Sequence, residues 1–346
     1  MKKTTRAFWW KRGHPLSLLL LPVSWIYAAV AGRRMRRATG ARAGVPVLCV
    51  GNFTVGGTGK TPVAEALARA AREAGKRPGF LLRGYGGKVE GAVLVDPERH
   101  SFRDVGDEAL MLSRLAPVAV SPARVDAAAL LEQAGVDFII MDDGLQSGRL
   151  KPDFAVAVAD AKRGFGNGRC LPAGPLRAPL TVQFPKADVV LLNGAGGAEE
   201  QVRRAARSAH RPVEVLHQQP TPDSDEFAGR DVLAYAGIGD PEKFFATLEG
   251  LGARVRRTVA LADHQPISEA LARSLLADAG ALLPVTTAKD MARLQGGGGP
   301  AISALRENSR VVEITAVFDN PAMPAGMIIA TLDAFRRRVE ADRQRR

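Results

Sequence analysis

The chain has 346 residues, of which 46% are apolar and 24% charged, so it can bury a sizeable core, has room for two domains, and is not mainly disordered. Its two cysteines, Cys49 and Cys170, are too few for a disulfide framework or a four-thiolate zinc site and fit a reducing compartment. The net charge of +12 is concentrated at one end: residues 1–45 hold Lys2, Lys3, Arg6, Lys11, Arg12, Arg33, Arg34, Arg36, Arg37 and Arg42 with no acid, leaving +2 for the rest. That distribution argues against a nucleic-acid footprint spread over a folded domain.

Within this basic leader an uncharged run, Gly13 to Gly32, carries Leu18 to Leu21, Trp25, Ile26 and Tyr27 between Trp9–Trp10 and the arginine cluster. Pro15 and Pro22 interrupt it and Ser17 and Ser24 dilute it, so it is a marginal membrane span. A signal peptide and a transmembrane anchor are alternatives. The favoured expectation is a helix lying in the membrane interface, with its aromatic residues as anchors and its arginines toward anionic headgroups.

Val45, Val47, Leu48, Cys49 and Val50 then read as a buried strand, followed by the glycine-rich turn Gly51 to Pro62 and a helical pattern through Ala64, Leu67, Ala68 and Ala71. Strand, glycine loop and helix are the setting of a phosphate-binding loop. Backbone N–H groups of Thr54, Val55, Gly56, Gly57, Thr58 and Gly59 would face phosphate oxygens, Lys60 would reach the β and γ phosphates, and the Thr61 hydroxyl would sit on Mg²⁺. The strict pattern asks for Gly at position 54, where this chain has Thr54.

Phe80 to Leu82 lead into Arg83-Gly84-Tyr85-Gly86-Gly87, a strand followed by a basic loop. Asp107 and Glu108 precede Ala109, Leu110, Met111 and Leu112, and taken alone read as first-turn acids of a helix. Val136 to Met141 form another apolar run that ends in Asp142-Asp143-Gly144-Leu145-Gln146. An acid directly after a buried parallel strand is placed to organise Mg²⁺ at the same sheet edge as the loop.

From Asp153 onward the alternation restarts, with strands over Phe154 to Ala159, Ala187 to Leu192 and Val232 to Ala236, so residues 153–346 are expected to form a second α/β domain beside a core at 45–152. Asp240 and Pro241 open a helix as N-cap and first residue. His264 lies in a loop before a helix near Ser268, a position usual for a solvated histidine. Thr286-Thr287-Ala288-Lys289-Asp290 is another strand-to-helix turn.

In this order, GNFTVGGTGKTP, RGYGG, GDEAL, DDGLQ, LPAGPLR, DHQPIS and TTAKD closely resemble the tetraacyldisaccharide 4'-kinase family of lipid A biosynthesis, from about residue 10 to about residue 320. The resemblance implies a P-loop NTPase-like parallel sheet with a second, smaller α/β domain and an N-terminal membrane-associating helix. The implied activity is ATP-dependent phosphorylation of the 4'-hydroxyl of a tetraacylated glucosamine disaccharide 1-phosphate, by a monomer on the cytoplasmic face of the bacterial inner membrane. Matched to this chain, Lys60 and Thr54 to Thr61 hold ATP, while Thr61, Asp142 and Asp143 hold Mg²⁺. Asp107, paired with His264, is the general base, and Arg83 and Gln146 face substrate. Two positions depart from the family pattern: Ala178 follows Arg177 where Glu is usual, which puts the metal shell in question, and Ala288 stands where Glu is common. GGTGKT is also similar to the loop of membrane-cycling partition and division-site ATPases, but those carry a lysine where this chain has Val55. GTP-binding metallochaperones would show Cys or His clusters that this sequence lacks.

Overall fold

A computed structural model describes residues 7–37, 40–84, 87–221, 226–263, 265–295 and 298–345. In chain order the strands are β1 (Val47–Asn52), β2 (Pro78–Leu82), β3 (Val93–Leu94), β4 (Val118–Val120), β5 (Phe138–Asp142), β6 (Phe154–Asp160) and β7 (Val189–Asn193). They continue as β8 (Val213–Pro220), β9 (Asp231–Ala236), β10 (Arg254–Ala260), β11 (Leu283–Thr287), β12 (Arg310–Val312) and β13 (Ile314–Phe318).

Every residue of β1 is buried, because helices cover both faces of the sheet and successive side chains point to opposite faces. Leu48 and Val50 pack with Val63, Ala64 and Leu67 of the helix Lys60–Glu73. On the other face, Val47 and Cys49 pack with Ala127, Leu131, Ile139 and Met141. Strand β1 pairs in parallel with β5 on one side and β6 on the other, in a register that sets Val50 opposite Asp142 and Asn52 opposite Val158. Asp160 and Asn193, which end β6 and β7, are likewise paired. The loops after β1, β5, β6 and β7 therefore leave the sheet from one edge, where a parallel α/β sheet carries its ligands.

The expected boundary at residue 153 does not hold. The large sheet runs β13-β8-β7-β6-β1-β5-β2-β4-β3, so β6, β7 and β8 extend the first sheet. The reason is packing: β6 is buried along its centre, from Ala155 to Ala159, and needs neighbours on both sides, which β1 and β7 provide. The separate sheet, β10-β9-β11-β12, is all parallel and lies between β8 and β13 in the chain. The chain leaves the large sheet along β8 and returns beside it as the antiparallel β13, with Ile314 opposite Pro220 and Phe318 opposite Leu216. The last helix, Met323–Gln344, then packs on Lys60–Glu73, and Arg338 pairs with Asp153 at 2.8 Å.

The leader forms two helices, Pro15–Leu19 and Leu21–Arg36, each with proline in its first turn, where the missing N–H costs nothing. The two serines of this pair face inward. Ser17 and Ser24 are buried and donate to the carbonyls of Ala173 and Cys170, and Tyr27 donates to the Arg177 carbonyl at 3.1 Å. Leu16, Leu19, Val23, Trp25, Ile26 and Val30 face outward, with Leu19 77% and Ile26 68% exposed. No helix among the described residues is long and apolar enough to cross a membrane.

Candidate functional site

The phosphate-binding turn joins β1 to the helix Lys60–Glu73. Asn52, the last residue of β1, donates from Nδ2 to Thr58 Oγ1 at 3.2 Å. The neighbouring strands brace the far end of the turn: Asn193 Nδ2 donates to the Thr58 carbonyl at 3.0 Å, and Gln218 Nε2 to the Gly59 carbonyl at 2.8 Å. Gly59 has φ +84°, a conformation open to glycine, and a Cβ there would run into both the Gln218 and Asn193 amides. Gly56 and Gly57 are the opposite case, since a Cβ on either would meet nothing within 4 Å. Their outer surface is an open cradle for a ligand that backbone N–H groups can approach closely.

The segment Cys170 to Arg177 lies against the start of the turn, and its last residues, Pro175 to Arg177, run antiparallel to it. Thr54 bridges Leu176, Val55 N donates to the Pro175 carbonyl at 2.9 Å, and Arg177 N to the Phe53 carbonyl at 3.0 Å. The Thr54 side chain is buried, and its carbonyl accepts from Arg177 Nε at 3.1 Å.

Asp142 and Asp143 diverge although they are adjacent. Asp142 ends β5 and is buried, and its Oδ1 has no hydrogen-bond partner. Burial, reinforced by the charge of Glu108, pushes its pKa up to about 7. Asp143 has φ +55°, a left-handed conformation that is costly for a residue with a Cβ. Four contacts hold it there. Its N–H donates to the Val50 carbonyl at 2.8 Å, its carbonyl accepts from Arg124 at 2.7 Å, its Oδ2 accepts from Arg177 at 2.9 Å, and Lys60 Nζ stands 3.5 Å from its Oδ1. Burial pushes the Asp143 pKa up, but Lys60, Arg177 and Arg124 outweigh it and hold the carboxyl below its usual value.

Asp107 starts the helix Asp107–Ser113 and is buried. Its Oδ2 accepts from Arg293 Nε at 3.0 Å and Nη2 at 2.6 Å, and its Oδ1 accepts from the Glu108 N–H at 3.0 Å. Arg293 comes from the helix Ala288–Leu294 after β11, so this ion pair joins the two sheets' helices. Beside it, Lys289 Nζ meets Glu108 Oε1 at 2.7 Å. Lys289 lowers the Glu108 pKa most, and Lys60 lowers it further. Burial alone would lower the Lys289 pKa, yet Glu108, Asp107 and Asp142 raise it.

The structure thus brings Lys60, Asp142 and Asp143 together at the end of β1 and β5, with Glu108 and Lys289 near enough to act on them. Thr61 is the second residue of the helix that Lys60 opens. Asp107 is held by an arginine that its motif did not point to, and its expected partner His264 lies outside the described residues. Gln146 donates to the Asn52 carbonyl and to Gln183 Oε1, both at 2.7 Å, so it braces the loop where an open substrate contact was expected. Arg83 is exposed just past β2. Among the described residues no three His, Cys, Asp or Glu side chains converge on a metal site. The donor set still fits Mg²⁺, a hard cation that takes one or two carboxylates and fills its shell with phosphate oxygens and water. The Asp142 oxygen without a partner is the orphan such an ion would satisfy.

Fold and site together define a P-loop α/β phosphotransferase with a second, smaller sheet domain. The family model for LpxK, tetraacyldisaccharide-1-P 4'-kinase, matches residues 16–331, and the chain belongs to that family. It is 48% identical to the tetraacyldisaccharide 4'-kinase of Allorhizobium ampelinum, over 97% of this chain and 99% of that one. To the enzyme of the same name from Brucella melitensis it is 47% identical, over 98% and 99% of the two chains. The crystal structure of LpxK from Aquifex aeolicus in complex with ATP superposes with a TM-score of 0.73 at 26% identity, covering 92% of this chain and 99% of that one.

Proposed function

We propose that the protein transfers the γ-phosphoryl group of ATP to the 4'-hydroxyl of a tetraacylated glucosamine disaccharide 1-phosphate, a reading supported by the name its relatives carry, tetraacyldisaccharide 4'-kinase. The observation that carries this reading is the pair Lys60 and Asp143, 3.5 Å apart at the mouth of the glycine turn, with buried Asp142 one residue away. Lys60 neutralises the charge that develops on the transferred phosphoryl group, and backbone N–H groups of Gly56 to Gly59 hold the remaining phosphates; the expected contribution of Thr54 and Val55 falls away, because Thr54 bridges Leu176 and the Val55 N–H is taken by the Pro175 carbonyl. Thr61, Asp142 and Asp143 would hold Mg²⁺, which when bound withdraws charge from the phosphate oxygens.

Asp107 is the general base of this reading, with His264 as its second member. The 4'-hydroxyl gives its proton to the carboxylate as its oxygen forms the new bond to phosphorus and the bond to the ADP oxygen breaks, leaving ADP with the electron pair. Arg83 is the candidate for contact with the sugar or its phosphate, since it is exposed at the same sheet edge.

The leader supports action at a membrane surface. Its outward face is apolar over Leu16 to Val30 and ends in the exposed Arg33, Arg34, Arg36 and Arg37, which suits a helix lying among anionic headgroups. Tyr27 ties that helix to Arg177, so a surface-bound leader would place the site beside its acylated substrate. We assign the surface to the cytoplasmic face of the inner membrane, where ATP is present, and the working form to a monomer. The test is incubation of purified protein with ATP, Mg²⁺ and the detergent-dispersed disaccharide 1-phosphate lipid, read by mass spectrometry. A gain of one phosphate is expected, lost in a substrate whose 4'-position is deoxygenated. Phosphorylation of the deoxygenated lipid would place the acceptor elsewhere.

A further inference from the structure

We propose that Arg293 is a positioning residue for the general base, and that Asp290 divides its charge so that Asp107 stays basic. The inference rests on the reading of Asp107 as the base. Arg293 is only 1% exposed, an unusual placement for an arginine, and its contacts explain it. Nε and Nη2 both reach Asp107 Oδ2, while Nη1 donates to Asp290 Oδ1 at 2.6 Å and to the Gly237 carbonyl at 2.7 Å. Asp290 is fixed in turn by the Thr287 hydroxyl at 2.7 Å and the Gly237 N–H at 3.1 Å. The plane of the guanidinium is therefore set by the small sheet, through the ends of β9 and β11, and it sets the plane of the Asp107 carboxylate in the large one. With Oδ1 accepting from Glu108 N–H, both oxygens of Asp107 are oriented.

A guanidinium bound to a base makes it a weaker base. Here the one guanidinium is shared by two carboxylates, so part of its field is taken up by Asp290. Orientation is kept while the loss of basicity is limited. Among the described residues, Lys289 and Asp290, from the same helix as Arg293, and Glu108, from its own, are also charged groups that act on Asp107. His264 lies outside the described residues and is unaltered in every variant below.

The experiment is the pH dependence of kcat/KM for the full chain with ATP and the lipid acceptor, where the acid limb reports the base of the free enzyme. Arg293→Ala removes a cation from Asp107, so its limb is expected about one unit higher in pH, with kcat down on the order of 100-fold and ATP affinity within about threefold. Asp290→Asn leaves the guanidinium undivided, so its limb is expected to move the opposite way, also by about one unit. Arg293→Lys is expected to fall between wild type and the alanine variant. A purely structural arginine would lower the melting temperature and leave both limbs in place, and that result overturns the proposal, as do two shifts of the same sign. If Arg293→Ala does not fold, the direction of the Asp290→Asn shift decides alone. Asp107→Asn separates the two readings: retained turnover with an unmoved limb refutes the base itself, whereas loss of turnover together with unmoved limbs in the other variants refutes only the role of Arg293.

Discussion

Arg124 is where the geometry of the site makes its most specific demand. It is the first residue of the helix Arg124–Gln133, where the helix dipole disfavours a cation, and it is buried, so its position needs a compensating contact. That contact is the carbonyl of Asp143, at 2.7 Å. The left-handed backbone of Asp143 costs about 1–2 kcal/mol, and a charge-assisted hydrogen bond returns about 1.5–3 kcal/mol. Arg124→Met removes the second without relieving the first, so Asp143 is expected to relax toward extended backbone and turn its carboxylate away from Lys60 and Arg177. A loss of that size lowers the competent population by about 10- to 100-fold. Turnover at saturating ATP and lipid should fall by that factor. ATP affinity, carried by the glycine turn and Lys60, should change by less than about threefold, and the melting temperature should drop by several degrees. Arg124→Lys, which keeps the charge but loses the reach, should lie between. If Arg124→Met lowers the melting temperature while turnover stays within about twofold of wild type, the contact only stabilises the fold and this account of Asp143 is wrong.

Lys60→Ala should reduce turnover on the order of 10³-fold with an unchanged melting temperature, because the ammonium acts on phosphates at the edge of the fold; turnover near that of wild type would refute the phosphate-loop assignment. Replacing Leu19, Trp25 and Ile26 with serine should abolish co-sedimentation with anionic vesicles and leave turnover on detergent-dispersed substrate within about twofold, whereas deleting the leader would also strip Ser17, Ser24 and Tyr27 from the Cys170 to Arg177 segment. Undiminished sedimentation of the triple variant would place the membrane contact elsewhere. Glu65, on the far side of the helix that Lys60 opens, has its pKa pushed up to about 7, first by burial and then by Glu313, against the pull of Arg69. Its folded value is raised above the unfolded one, so the stability it contributes is complete below about pH 4.5 and is lost as pH rises through about 7. Glu65→Gln should therefore leave urea stability unchanged at pH 4.5 and raise it by about 2–3 kcal/mol at pH 8, and equal effects at both pH values would contradict the shift.

The parts of this site legible in the sequence are those made by neighbours in the chain. An apolar run followed by glycines and Lys60-Thr61, or by Asp142-Asp143, reports strand, edge and charge together, because a parallel sheet delivers all its strand ends to one side. Asn193 carries the same signature, a polar residue closing Val189 to Leu192, and taking one more residue into that run would have found it. Gln218 has no such signal: it lies within β8, and it reaches Gly59 only because β8 joins the large sheet. The expected boundary at residue 153 failed for the same reason, since strand alternation is alike in one sheet of nine and in two smaller ones, and only pairing partners tell them apart. Arg293 is the strongest case. Asp290 and Arg293 at i and i+3 read as an ordinary exposed helix pair, and nothing local shows that both are buried or that Asp107, far away in the chain, completes them. The leader is legible in composition and illegible in orientation: Ser17 and Ser24 weaken its hydrophobic run, yet they help dock it, by donating from the inward face to the carbonyls of Ala173 and Cys170. A helix whose serines face the protein and whose large apolar residues from Val23 to Val30 face outward has its sides assigned by the partner it folds against, and that partner, the segment carrying Arg177, also holds Asp143 in the site.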